Sequence, residues 1–451
     1  MKKKLYIVQP SYRDQDGRLI KGGSNLFTNS LAVSALSAAM PADWEKEYCL
    51  EYFEDVNLDT DAPVVAITCL GYDLFRGREL ALEFRKRGKI VLFGGCASEL
   101  WRDQIQNVPH TIVSGNPGKQ DLARILADVE NDRLSPEYHC QTNLDYPFDY
   151  SVLTRKKIAN HIYYFPALAS AGCPYRCEFC CTAAKYKGRY YLRSLDAIMA
   201  DLHVLKRLKR RIVFVDSNFY IDRKHVIQLA NRIIKDRLNL FWSAECTINI
   251  GDDPEVLVLL RRAGCRALLI GFESLSQRNL SHMHKPFTAA RYHEQIRNIQ
   301  KAGMIVAGFF IFGFDQDDLS TINNLCDFVR EYDITLPLFN FLCPVPGTQF
   351  FERMRSAGRL ITYEDAYLQQ TPVYSSPTHR CLFQPKQMSP REAELAFVEL
   401  LNRVSSLPAI IRRSARLGLR QGPFVFMMNL NTRRSYRAVA KEILGCHLAK
   451  N

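Results

Sequence analysis

Ala171-Gly-Cys173-Pro-Tyr-Arg-Cys177-Glu-Phe-Cys180-Cys181 places four of the chain's fourteen cysteines within nine residues. The stretch follows an apolar run, Ile162–Ser170, that reads as a β-strand, so the cysteines fall on a strand-following loop. Thiolates are the normal ligands of iron–sulfur clusters. Three of them, Cys173, Cys177 and Cys180, can each hold one iron of a 4Fe–4S cube and leave the fourth iron open to a cofactor or substrate. A zinc site needs a fourth ligand and usually a second paired Cys-x-x-Cys. None follows, and Cys181 points away from Cys180 as adjacent side chains do. A redox dithiol at Cys177 and Cys180 is a further reading. So are plain buried cysteines, the reading given to the scattered Cys49, Cys69, Cys96, Cys265, Cys326 and Cys446.

Outward from this loop the pattern is regular. Strands are expected at Ile162–Ser170, Arg211–Val215, Leu240–Cys246, Ala267–Phe272, Ile305–Phe312 and Leu336–Leu342. Helices are expected at Leu195–Leu208, Arg223–Lys235, Asp253–Ala263, Ala289–Ala302 and Leu319–Tyr332. Six strands alternating with helices imply an α/β partial barrel, with its chemistry at the strand C-termini. Upstream, strands at Lys4–Gln9, Val64–Cys69, Ile90–Phe93 and His110–Val113, with a helix at Leu74–Arg87, imply a separate doubly wound parallel sheet. Its post-strand loops carry Gly71, Gly94, Gly95, Gly115 and Gly118, at the edge where open α/β sheets bind ligands. The expected division is 1–135 (doubly wound domain), 136–160 (linker), 161–350 (barrel) and 351–451 (mostly helical extension). Within the last part, 366–390 reads as loop, followed by helices at Pro390–Val404 and about Leu407–Leu417.

The composition, 47% hydrophobic and 24% charged over 451 residues, is that of an ordinary globular protein of two or three domains. No apolar run approaches the ~20 residues of a membrane helix. The Met1-Lys-Lys-Lys4 start is followed only by Leu5–Val8, too short for a signal sequence, so a cytoplasmic protein is expected. The net charge of +13 fits nucleic acid, an anionic membrane surface, an acidic small molecule or a solvated basic surface. No nucleic-acid-binding signature accompanies it. The basic residues cluster only near the C-terminus, at Arg412, Arg413, Arg416, Arg420, Arg433, Arg434 and Arg437. There the stretch Phe424–Arg437 mixes apolar residues with arginines, as a membrane-contacting face or a packed helix with a solvated basic side would.

The cysteine spacing, the aromatic Phe179 before the last cysteine and the six strand–helix units together resemble the radical S-adenosylmethionine (SAM) superfamily over roughly Ile162–Gly347. The resemblance implies a TIM-type partial (β/α)6 barrel, a 4Fe–4S cluster on Cys173, Cys177 and Cys180, and SAM contacts. Those contacts would be Phe179; Asp216 and Asn218 in Phe214-Val-Asp-Ser-Asn-Phe219, near the methionine amine; Glu273 in Ile270-Gly-Phe-Glu-Ser274, at the ribose; and Gly308 and Gly313, along the adenine. Lys285 in Met283-His-Lys-Pro286 also sits as in relatives. Each has a plainer reading: a surface carboxylate for Glu273, close strand packing for the glycines.

Residues 4–130 resemble the Rossmann-like cobalamin-binding domain that precedes many such barrels, with Gly94, Gly95 and Gly115 in the ligand loops. A doubly wound module of other purpose is the alternative. The Asp-x-His-x-x-Gly motif that supplies a cobalt-binding histidine is absent, and Gly115-Asn-Pro-Gly118 stands where relatives often have Gly-Glu-Gly-Glu. Phe341–Thr348 resembles the sixth-strand ending of the cobalamin-linked class, with Cys343 at the barrel mouth. The implied activity is reductive cleavage of SAM to a 5′-deoxyadenosyl radical and modification of an unactivated carbon, foremost C-methylation from methylcobalamin. Cyclisation, ring rearrangement or oxidation with the same cofactors is an alternative, and a non-catalytic iron–sulfur binding module is one of another class. Flavodoxin or ferredoxin is the implied electron donor. A small molecule, lipid, tetrapyrrole or peptide remains open as substrate, and no residue is singled out as catalytic.

Overall fold

The computed structural model describes residues 2–13, 17–22, 25–27, 31–71, 73–361 and 380–448. The part of the expected 366–390 loop that precedes residue 380 lies outside the described residues. In chain order the strands are β1 (Lys4–Gln9), β2 (Asn25–Phe27), β3 (Glu45–Leu50), β4 (Val64–Thr68), β5 (Ile90–Gly94), β6 (Thr111–Ser114), β7 (Glu137–His139), β8 (Ile162–Ala167), β9 (Ser170–Gly172), β10 (Tyr190–Leu192), β11 (Arg211–Phe214), β12 (Trp242–Cys246), β13 (Cys265–Glu273), β14 (Ile305–Phe312) and β15 (Leu336–Phe341). The described residues pack as two units, one drawn from residues 2–171 and 190–215, the other from residues 172–189, 216–361 and 380–448.

The first unit holds a six-stranded parallel sheet ordered β3-β1-β4-β5-β6-β7. Its central strands are apolar without alternation, because a parallel sheet is covered on both faces. Leu5, Ile7, Val8, Val64 and Val65 are all fully buried. The helix Leu74–Lys86 lays Leu74, Leu80, Ala81 and Phe84 against this sheet at helical spacing. Two edge strands escape the sequence pattern. In β3 the residues Glu45, Lys46 and Glu47 are charged and only Cys49 and Leu50 are buried. The other, β7, lies just past the boundary drawn for the first domain, inside the stretch read as linker. The rest of that stretch is no loose connector, since Tyr146, Phe148, Tyr150, Val152, Leu153 and Ile158 are buried. The strands β2, β8 and β11 also belong to this unit and pair in parallel, β8 in the middle.

One buried ion pair organises the segment before β8. Arg193 donates to Asp201 at 2.8 Å, to the carbonyls of Leu144 and Leu168 at 2.8 Å and to that of Tyr146 at 2.6 Å. Its guanidinium lies 3.9 Å from the centre of the Phe148 ring, and Asp201 in turn accepts the Phe148 N–H at 2.8 Å. Burial pushes the Asp201 carboxyl up to about 6, against the pull of Arg193.

In the second unit, β12, β13, β14 and β15 pair in that order, all parallel. The six strands and their helices, together with the doubly wound sheet and a helical C-terminus, give the α/β class that the sequence implies. Phe272, Phe310 and Phe339 stack on one another on the helix-covered face, with centroids 5.2 and 5.0 Å apart. Phe328, from the helix Thr321–Glu331, meets two of these rings edge-on. The C-terminal helix Gly418–Leu448, longer than the sequence reading reached, closes the free side of β15. There the Tyr436 hydroxyl accepts the Phe339 N–H at 2.8 Å and donates to the Pro337 carbonyl at 3.1 Å.

Replacing Arg193 by alanine strands a buried carboxylate and frees three carbonyls. Denaturant unfolding of Arg193→Ala is expected to show a loss of about 3–5 kcal/mol; a loss under ~1 kcal/mol would contradict the role given to this pair.

Candidate functional site

The cysteine loop is closed at its base by Gly172. Its φ of +84° is one that L side chains rarely adopt, and a Cβ there would lie 2.4 Å from the Arg189 carbonyl. The same carbonyl accepts the Cys173 N–H at 3.2 Å. A turn then brings the Cys180 N–H to the Cys177 carbonyl at 3.0 Å. Cys173, Cys177 and Cys180 are all free and partly buried. The Cys177 thiol feels the charges of Cys173 and Cys180, and the Cys173 thiol that of Cys180, which places the three as neighbours. Burial raises the thiols of Cys173 and Cys177, the latter to about 12, and the Lys285 ammonium counters the rise at both. Among the described residues, no three His, Cys, Asp or Glu side chains converge as ligands of one ion must.

Glu178, between two of the cysteines, anchors the loop. Its N–H donates to the Met283 carbonyl at 3.2 Å and its own carbonyl accepts the Phe350 N–H at 2.9 Å. Its carboxylate takes a two-point bond from Arg353, at 3.1 and 2.6 Å. Arg353 also reaches Asp315 at 3.2 Å, and Arg359 bonds the same carboxylate at 2.5 Å. Phe179 projects from the loop edge-on towards Phe314, 6.3 Å away.

Lys285 is buried and joins this loop to the end of β13. Its ammonium donates to Glu273 at 2.6 Å and to the Gly271 carbonyl at 2.8 Å. The register of β13 on β14 slips between Gly271 and Glu273, and Glu273 has φ +63°, a costly conformation for a residue with a side chain. The strain turns its carboxylate to the lysine. Asp216 and Asn218 are buried. Asn218 Oδ1 accepts both the N–H and the hydroxyl of Thr247, at 3.2 and 3.1 Å, while its Nδ2 is buried with no acceptor among the described residues. A buried donor without a partner carries a penalty that a bound ligand relieves.

The glycines divide by cause. At Gly308 a Cβ would meet Phe310 at 2.8 Å and Phe272 at 3.1 Å, so the stacked rings account for its small size. Gly313, at φ +111°, sits in a turn that Asp317 holds by accepting the N–H groups of Gly313 and Phe314 at 2.9 and 3.0 Å. In the first unit Gly95 and Gly115 have φ of +97° and +88°, and a Cβ would lie 2.2 Å from the Cys69 carbonyl and 1.9 Å from that of Cys140. A Cβ on Gly94 would approach the Val113 carbonyl at 3.2 Å. These three let strand-end loops of the sheet touch one another.

Glu245 was not singled out in the sequence. It lies on β12 in one register row with Leu269 and Ala307, on the face opposite Phe310. Burial, with a smaller push from the charge of Asp216, raises its carboxyl to about 7. The available signal was a lone acid within the otherwise apolar Trp242-Ser-Ala-Glu-Cys246.

Residues 168–329 match the family described as the Radical SAM superfamily. The chain carries a radical SAM domain. The cysteine loop, Asp216, Asn218, Glu245, Glu273, Lys285, Gly308 and Gly313 all fall within this radical SAM segment. Along nearly its whole length the chain is similar to the bacteriochlorophyllide d C-12(1)-methyltransferase of Chlorobaculum tepidum, 28% identical over 96% of this chain and 94% of that one. It is also similar to the bacteriochlorophyllide d C-8(2)-methyltransferase of the same organism, 29% identical over 74% and 78%. Among solved structures, the radical SAM methyltransferase TsrM from Kitasatospora setae, with cobalamin and a 4Fe–4S cluster bound, superposes with a TM-score of 0.63. It shares 17% identity over 88% of this chain and 85% of that one, a likeness of fold.

The raised Glu245 carboxyl has a consequence for stability. The fold holds its proton more tightly than the unfolded chain does. The stability this contributes is complete below about pH 4.5 and is lost as pH rises through about 7. Glu245→Gln keeps the shape and removes the ionisation. It should therefore gain stability relative to wild type between pH 5 and pH 8, read from denaturant midpoints of both proteins. A difference independent of pH would refute this.

Proposed function

We propose that this protein is a cobalamin-dependent radical SAM methyltransferase that adds a methyl group to an unactivated carbon of a tetrapyrrole-class substrate. The observation that carries the reading is the nearly end-to-end similarity to a bacteriochlorophyllide methyltransferase, on a chain whose cysteine loop has the neighbouring thiols such chemistry needs. Two further observations fit the cofactors. The orphaned Asn218 Nδ2 beside buried Asp216 offers a polar lining for SAM. At the carboxyl end of β1, the ligand edge of a doubly wound sheet, Gln9 Oε1 is likewise buried without a donor among the described residues. We assign residues 1–135 to cobalamin, 136–160 to a connection, 161–350 to the radical SAM barrel and 351–451 to a helical extension.

In this assignment Cys173, Cys177 and Cys180 hold the cluster, and Asp216, Asn218 and Glu273 hold SAM, with Phe179, Gly308 and Gly313 around it. Gly94, Gly95 and Gly115 shape the cobalamin loops. Together the cluster and SAM supply a carbon radical and cobalamin supplies the methyl group, so the protein's work is position and exclusion of water. Glu178 and Arg353 fix the loop, and Lys285 offsets the negative charge of the thiolates while orienting Glu273. Phe179 and Phe314 shield one side of the loop. The partly exposed Glu245 supplies a carboxyl that exchanges its proton near neutral pH.

Anaerobically reconstituted protein given SAM, a low-potential reductant, cobalamin and a bacteriochlorophyllide-type tetrapyrrole is expected to yield a product heavier by one CH₂, together with 5′-deoxyadenosine. Cys173→Ala, Cys177→Ala and Cys180→Ala should each lose iron and at least a hundredfold in 5′-deoxyadenosine formation. Unmethylated tetrapyrrole alongside abundant 5′-deoxyadenosine would overturn the substrate class, and active cysteine variants would overturn the cluster.

A further inference from the structure

We propose that the two C-terminal helices of the second unit form a docking surface for an anionic lipid bilayer. The helix Leu407–Ala415 is inverted relative to an ordinary surface helix. Its inward positions are Ile410, Arg413 and Ser414, and the buried Arg413 guanidinium donates to the Val404 carbonyl at 2.8 Å and to Asn429 at 2.9 Å. Its outward positions include Leu407 and Ile411, 46% and 55% exposed, with Ala415 a further turn along. Leu419, at the start of the next helix, is 96% exposed. A charged residue inside and a stripe of aliphatic residues outside is the reverse of what folding in water selects.

The cations flank this stripe. A groove of about 250 Å³ is lined by Leu407, Leu430, Arg433, Arg434 and Arg437. Arg434 and Arg437 are exposed and have no ion-pair partner among the described residues. Met427 and Leu444, both about two-fifths exposed, extend the apolar side along the Gly418–Leu448 helix. Over residues 407–448 the sequence has seven arginines and one lysine against the single acid Glu442. That net +7 is more than half of the chain's +13.

Charge decides the occupant. A second copy would set the exposed arginines against like charge, and a nucleic-acid backbone would gain nothing from aliphatic side chains at the centre of the patch. A bilayer bearing anionic headgroups matches both features, taking up the aliphatic residues between headgroups and pairing the arginines with phosphates. Attachment would be to the surface, since no helix among the described residues is long and apolar enough to cross a membrane.

The test is sedimentation of the full-length protein with large unilamellar vesicles. Vesicles of equal phosphatidylglycerol and phosphatidylcholine are expected to retain the protein at least tenfold better than pure phosphatidylcholine at 50 mM NaCl. Retention should fall at 500 mM NaCl. Arg434→Gln with Arg437→Gln should weaken retention about fivefold and flatten its salt dependence. Ile411→Glu with Leu419→Glu should abolish it. All four positions are exposed, so unchanged circular dichroism and melting temperature will report intact folding. Equal retention on both vesicle types, or full retention of the Ile411→Glu and Leu419→Glu variant, would overturn the proposal. So would a dimer in light scattering that this variant dissociates, because the stripe would then be a self-interface.

Discussion

A single buried cation sets the terms for the candidate site. The Lys285 ammonium lies within reach of the Glu273 carboxylate, a backbone carbonyl of β13 and the fields of two thiols. Bringing several thiolates and a carboxylate into one partly buried place is costly unless positive charge accompanies them. Lysine suits the task because its compact charge donates three hydrogen bonds in directions that its flexible stem can adjust. The strained backbone at Glu273 belongs to the same arrangement, since the register slip in β13 is what turns that carboxylate to the lysine.

Around this centre the loop is immobilised from a distance. Glu178 alternates in sequence with groups that face the site, yet its carboxylate is tied to Arg353, and Arg353 to Asp315 just beyond Gly313 and Phe314. The loops after β9, β14 and β15 thus share one ionic network. Geometry needed at the cysteines is distributed over residues nearly two hundred positions apart in the chain. The first unit shows the same economy in its own terms: strand-end loops meet where Gly95 and Gly115 leave no side chain in the way.

Much of this was legible in the sequence where burial is two-sided. β1, β14 and the helix Arg223–Lys235 begin and end where hydrophobic periodicity places them, because uninterrupted apolar runs have few other uses. β3 was not legible, since an edge strand needs only half its residues buried and carries charges such as Glu45 and Lys46 on the rest. Nor was the helix Gly418–Leu448, whose early Pro423 and dispersed arginines obscure the period. The cysteine spacing announced the site, but its electrostatics were hidden. The Lys285–Glu273 bond spans twelve residues and depends on a strand bulge, and Glu245 acquires its character from burial in the folded sheet, with a smaller push from Asp216, twenty-nine residues away. Gly308 illustrates the opposite case, a motif position whose smallness the stacked Phe272 and Phe310 already explain.

The Tyr436 hydroxyl occupies the backbone groups that β15 would otherwise present along its open margin. A strand left with unpaired N–H and C=O groups is a template for any other extended chain. Chains shortened before this tyrosine would therefore carry a sticky border and tend to polymerise even if every cofactor-facing residue were retained. The Gly418–Leu448 helix thus covers an edge that strand pairing alone leaves open.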